Sequence, residues 1–137
     1  MIDGDIIVIA QKIISKIEGR SVKISDVKPS QTALQLAKEV NKDPRLVELI
    51  LSESIRVVRS APGVLIVETR HGFICANAGI DRSNIFGEDI FLKLPENPDR
   101  TAMEIKVRIK SLYGLEVGVI ISDSFNRPWR KGSVNVA

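Results

Sequence analysis

Two continuous apolar runs stand near the ends of the chain, Ile6-Ile7-Val8-Ile9-Ala10 and Val117-Gly118-Val119-Ile120-Ile121. Runs of this kind predict strands covered on both faces. Asp3-Gly4-Asp5 predicts a turn ahead of the first. Between them the period changes to that of a helix. Ala33, Leu34, Ala37 and Val40 recur on one face, and Ser30 is placed to cap a helix running through Asn41. Asp43-Pro44 opens a second helix, with proline at the first helical position, where its missing N–H is no loss. Leu46, Val47, Ile50 and Leu51 form that helix's core-facing side. Pro62-Gly63 is a turn. Val64-Leu65-Ile66-Val67 and Phe73-Ile74-Cys75-Ala76 predict paired strands around Arg70-His71-Gly72. Ile90-Phe91-Leu92 predicts a further strand. Thr101-Ala102-Met103-Glu104 has the form of a capping box, opening a helix that ends near Gly114 and buries Ala102, Ile105, Ile109 and Leu112. Ser133-Val134-Asn135-Val136-Ala137 resembles the start of one more strand. These elements predict an α+β fold, a mixed β-sheet with flanking helices, in a single partial domain over residues 1–137. The apolar runs at both extremities make the chain look cut at each end.

Composition narrows the class without choosing a function. Hydrophobic residues at 44% and charged residues at 27% predict a folded chain with a real core. The formal net charge of +3 is too mild to argue for nucleic acid, and it fits an anionic small molecule or a solvated surface equally. Aromatic content of 4%, with no interleaving of basic and aromatic positions, ranks a nucleic-acid binder last. No apolar run reaches membrane-spanning length, and Met1-Ile2-Asp3-Gly4-Asp5 lacks the pattern of a signal peptide. Cys75 is the single cysteine, which excludes an intrachain disulfide and fits a reducing, cytoplasmic setting.

Two segments break the local rules and carry the candidate chemistry. Cys75-Ala76-Asn77-Ala78-Gly79-Ile80-Asp81-Arg82-Ser83-Asn84 leaves a strand and gathers small residues, which let backbone N–H groups approach a ligand, with the hard oxygen donors Asp81, Ser83 and Asn84. The same letters also describe plain turns, with Asp81 as a cap. Ile121-Ser122-Asp123-Ser124-Phe125-Asn126-Arg127-Pro128-Trp129-Arg130-Lys131 places a carboxylate at the end of an apolar strand, a rigid position for a metal ligand, with Ser124 alongside and cations following. A loop cap is the competing reading of Asp123. Taken together, two oxygen-rich loops, each launched from an apolar strand, predict a shared divalent-cation site facing an anion, the arrangement that phosphoryl chemistry needs. Arg82, Arg127 and Arg130 are candidates for holding that anion. The familiar glycine-rich phosphate loops and zinc patterns are absent from the sequence. On their own, Lys12 and Lys16 read as solvated, His71 as a surface turn residue, and Cys75 as a small buried apolar side chain.

The ordered motifs resemble one family. Ser15-Lys16-Ile17-Glu18-Gly19-Arg20, Asp43-Pro44-Arg45-Leu46-Val47-Glu48, Arg70-His71-Gly72-Phe73, Asn77 through Asn84 and Ile121 through Gly132 are similar to the signature segments of the coenzyme F420:L-glutamate ligases. The resemblance implies a GTP-dependent ligase that adds L-glutamate to the deazaflavin coenzyme precursor. It implies an α+β homodimer with a larger two-subdomain fold, two Mg2+ or Mn2+ ions and a response to K+. Asp81 and Asp123 are then metal ligands, with Ser124 on a second metal. Asn84 and Lys16 contact GTP, with Gln11 and Lys12 near it, where other members carry small hydroxyl residues. No residue stands out as general base. Family members carry further segments on both sides, so the alternative expectation is a non-catalytic fragment that keeps a nucleotide- and metal-binding or dimerisation module.

Overall fold

In the computed structural model, residues 1–83, 89–125 and 134–136 are described. The fold is α+β, as the pattern predicts. The core lies between two helices and an antiparallel sheet. Helix α1 covers Gln11–Ile17, α2 Gln31–Val40 and α3 Pro44–Ser52. The Ser30 side chain accepts from the Ala33 N–H and the Asp43 side chain from the Arg45 N–H, so both predicted caps are in place. Asn41 ends α2 in a left-handed conformation. The buried face of α2 is Ala33, Ala37 and Val40. Leu34 is exposed, and Leu36 packs against the core in its stead. On α3 the buried residues are Val47, Leu49 and Ile50, with Leu46 and Leu51 at the margin.

These faces close on strands β3 (Ser54–Ala61), β4 (Val64–Thr69) and β5 (Ile74–Ala76), paired antiparallel in that order. Leu65 and Val67 of β4 are the sheet's contribution to the core. The Pro62-Gly63 turn and the β4–β5 hairpin follow the sequence. Strand β3 was not among the predicted elements.

A second antiparallel sheet has the order β2-β7-β6, from Ser21–Lys23, Ile90–Leu92 and Asp81–Ser83. An ion network ties it to the core layer. Glu53, at the end of α3, receives Arg20 at 2.7 Å and Lys93 at 2.6 Å. The third sheet is mixed. Strand β8 (Gly118–Phe125) runs parallel to β1 (Ile6–Ala10) and antiparallel to β9 (Val134–Val136). Among the described residues the strands therefore divide into three sheets of three, only one of them mixed.

Two expectations of burial are corrected. Strand β1 is not covered on both faces, since Ile6 and Val8 are 65% and 64% exposed. Nothing among the described residues packs on that face. Helix α4 (Pro98–Tyr113) starts three residues before the expected capping box. Its cap is Asn97, whose side chain accepts from the Arg100 N–H, and Pro98 takes the first turn. Thr101 instead donates to Glu18 Oε1. None of the α4 residues is fully buried, and Leu112 is exposed. No described helix is long and apolar enough to cross a membrane.

Candidate metal centre

The parallel pair β1–β8 fixes where the chemistry can sit. Ala10, the last residue of β1, stands beside Ser122, so the parallel pairing ends there while β8 runs on to pair with β9. Ligands collect at such strand ends because the following loops diverge there and leave a crevice. Strand β1 passes directly into α1, which puts Gln11 and Lys12 at that edge. The next residues of β8 are Asp123 and Ser124.

Asp81 arrives from the other side through an unusual corner. Asn77, Ala78 and Gly79 all have positive φ, at 53°, 55° and 68°. Ala78 and Ile80 are buried in the core cluster and pin the corner, so that Asp81 emerges at the surface on β6. Gly79 answers a close approach. A Cβ there would lie 3.0 Å from three side-chain atoms of Leu94.

Asp81 and Asp123 line one cavity of about 180 Å³, together with Asn77, Ser124 and the backbone of the corner. The Lys12 ammonium lies 2.9 Å from the Asp81 carboxylate. Asp81 and then Asp123 hold the Lys12 ammonium above the ordinary lysine range, its hydrogen bond to Asp81 being the main cause. Asp123 is pushed up from the usual carboxylate range, chiefly by burial and also by the Asp81 charge. The Ser124 N–H and Lys12 oppose the rise. The desolvation has a visible source. Behind Asp123 lies an apolar cavity lined by Phe73, Leu94, Pro95, Ile121 and Val136. The thiol of Cys75, on the floor of the 180 Å³ cavity, is buried and pushed up to about 11.

The donors present fit a hard divalent cation. Two carboxylates, one hydroxyl and the carboxamide of Asn77 are oxygen ligands of the kind that Mg2+ and Mn2+ prefer. The Asn77 Oδ1 atom is buried with no hydrogen-bond partner among the described residues, and a cation would satisfy it. The Lys12 ammonium is the cation that stands beside Asp81 in the structure. Among the described residues no third His, Cys, Asp or Glu completes a cluster. A cation held here would complete its shell with the hydroxyl, the amide, water and phosphate oxygens, as Mg2+ commonly does.

The other sequence candidates are distributed unevenly. Lys16 is exposed one helical turn beyond Lys12 on the same face of α1. Gln11 is buried and donates to Ser15 Oγ, while lining a neighbouring cavity with Lys12, Ser122, Asp123 and Ser124. Arg82 pairs with Asp89 across β6 and β7 and does not line the Asp81–Asp123 cavity. Asn84, Arg127, Trp129, Arg130 and Lys131 lie outside the described residues. His71 is a tie rather than a free turn residue, with Nε2 against the Pro95 and Glu96 carbonyls at 2.8 and 3.1 Å. Asn77 is the pocket residue that the sequence reading passed over. The one signal for it was a side-chain amide among the small residues of a tight corner.

The fold and this pocket define a class: an α+β protein with an oxygen-lined pocket where the parallel pairing of two strands ends. The F420-0:gamma-glutamyl ligase family model matches residues 1–137, and the chain belongs to that family. It is 50% identical over 136 residues to the coenzyme F420:L-glutamate ligase of Methanocaldococcus jannaschii, covering 98% of this chain and 53% of that protein. The coenzyme F420:L-glutamate ligase of Methanothermobacter thermautotrophicus is 47% identical over 137 residues, covering 100% of this chain and 54% of that protein. That of Methanococcus maripaludis is 45% identical over 135 residues, covering 98% and 54%. The chain spans about half the length of the curated relatives it matches.

Proposed function

We propose that this chain supplies the metal and nucleotide pocket of a GTP-dependent ligase that adds L-glutamate to a coenzyme F420 precursor. The observation that carries the proposal is the meeting of Asp81 and Asp123, 42 positions apart in sequence, in one oxygen-lined cavity beside Lys12. An Mg2+ or Mn2+ ion is what that donor set fits, and a second such ion, K+ and a homodimer follow from the family resemblance. The exposed apolar side chains of β1 and α4 support a larger assembly, since monomers seldom leave such patches bare.

The chemistry proceeds in two transfers. A carboxylate oxygen of the precursor attacks the γ-phosphorus of GTP, and GDP leaves. The glutamate amine then attacks the acyl carbon of the acyl phosphate, and phosphate leaves. A bound divalent ion would supply neutralisation of the phosphate charge. Asp81, Asp123 and Ser124 provide its protein ligands. Lys12 and Lys16, one turn apart on α1, face the phosphates, with Gln11 shaping the wall behind. Asn84, Arg82, Arg127 and Arg130 are assigned to nucleotide or anion contacts on sequence grounds. Positioning and charge neutralisation, rather than covalent catalysis, are what these residues offer.

The test is calorimetric titration of Mn2+ and then GTP into the chain, with Asp123→Asn alongside. Loss of one of two carboxylates should weaken Mn2+ binding at least tenfold. Equal binding by the variant would remove Asp123 from the site. A second reading is a binding module without turnover. Mass spectrometry of a mixture with GTP, Mn2+, L-glutamate and the precursor separates the two. Glutamylated product supports the ligase, and binding without product supports the module.

A further inference from the structure

Lys12 lies between two cavities. Asp81 belongs to the 180 Å³ cavity, and Lys12 to a neighbouring one of about 390 Å³ lined by Val8, Ala10, Gln11, Ser122, Asp123 and Ser124. Asp123 and Ser124 are common to both. The ion pair of Lys12 with Asp81 therefore links a residue of one space to a residue of the other. It is easily opened, because the two side chains are 55% and 51% exposed and exposed pairs hold weakly.

Resting on the metal reading of this pocket, we propose that Lys12 is a built-in counter-ion. Its ammonium occupies the cation position beside Asp81, and an arriving divalent ion displaces it into the neighbouring cavity, where it holds a phosphate group. Each event then favours the other. A metal ion at Asp81 releases the lysine for an anion, and an anion in the neighbouring cavity draws the lysine away from Asp81. Such coupling is reciprocal by thermodynamic necessity. It gives this chain a reason to carry a lysine at the start of α1, at the mouth of a site that must receive a cation.

The prediction is an affinity change of opposite sign for the two ligands. Lys12→Met keeps the length of the side chain and removes its charge. A unit charge a few ångströms from a divalent ion in a mostly aqueous setting, with the pair that must be broken, corresponds to about three- to thirtyfold in Mn2+ affinity. Calorimetry with Mn2+ alone should show Lys12→Met binding tighter by that factor and Lys12→Arg close to wild type. Lys16→Met, which removes the same charge one turn away, should change Mn2+ binding by less than about twofold, since screening weakens the more distant charge. Inorganic triphosphate titrated without metal should bind Lys12→Met more weakly than wild type. Equal or weaker Mn2+ binding by Lys12→Met overturns the proposal. If Asp123→Asn abolishes Mn2+ binding in that same experiment, the pocket stands and only the role of Lys12 falls. If neither wild type nor Lys12→Met binds Mn2+, both fall. Equal shifts in Lys12→Met and Lys16→Met overturn the specific pairing in favour of general surface charge.

Discussion

Replacing Glu53 by Gln tests what holds the sheet that carries Asp81 against the core. Glu53 is the acidic centre of a three-residue network, with Arg20 at 2.7 Å and Lys93 at 2.6 Å. The side chains are 11%, 19% and 18% exposed. Arg20 adds a hydrogen bond from Nε to the Leu94 carbonyl. The amide in Glu53→Gln keeps the shape and removes the charge, leaving two largely buried cations without a counter-charge. Breaking one partner out of a buried pair costs about 3–5 kcal/mol. Residual access of water to Arg20 and Lys93 places the expected loss near the lower end, about 3 kcal/mol. With a slope of about 2 kcal/mol/M, the urea midpoint should fall by roughly 1.5 M. Glu104→Gln is the control, because its pair with Arg100 is 76% and 62% exposed, and solvent screening leaves such a pair little effect on stability. The assay is equilibrium urea unfolding of the three proteins, followed by circular dichroism. A Glu53→Gln loss no larger than that of Glu104→Gln would refute the idea that burial makes this network matter.

Other outcomes follow from single side chains. The Cys75 thiol has its folded value raised to about 11 from 9.0 by burial, so its contribution to stability is complete below pH 9 and is lost as pH rises through about 11. At about 1.4 kcal/mol per unit, the wild type should lose about 2–3 kcal/mol relative to Cys75→Ala across that window, read from urea midpoints at each pH; a constant difference would contradict it. Gly79→Ala meets both a left-handed φ of 68° and Leu94 at 3.0 Å, and should cost about 2–3 kcal/mol in urea unfolding. Gly72→Ala, with φ of 82° and open space, should cost only about 1 kcal/mol; equal losses would show that the Leu94 contact yields freely.

The parts of the fold legible in the sequence were those fixed by local chemistry. Ser30 and Asp43 announce their helices because a cap is a short-range hydrogen bond. Strand β3 escaped notice because Ile55, Val57 and Val58 are exposed and Arg56 and Arg59 interrupt them. It exists as a strand through pairing with β4, with register shifts along the way. The start of α4 was misplaced, since the Thr101–Glu104 box was read as its opening, whereas Asn97 caps the helix ahead of Pro98 and Thr101 is drawn to Glu18. An unbroken apolar run does not reveal how many faces will find partners, which is why β1 misled. Within the site, Asp81 and Asp123 were legible because each stands where an apolar stretch turns polar. The place of Lys12 was not, because it depends on Ala10 lying beside Ser122, a register that local sequence does not encode.

The corner at Asn77–Gly79 has a consequence for recognition. Ordering the backbone of a residue costs about 1–2 kcal/mol, so three slack residues ahead of Asp81 would tax any ligand by several kcal/mol. Here that loss is incurred when the protein folds, with Ala78 and Ile80 locked beneath the surface. The cation proposed for Asp81 would meet a carboxylate whose anchorage is already set, and would lose affinity to the Lys12 ion pair it opens but not to ordering of the backbone.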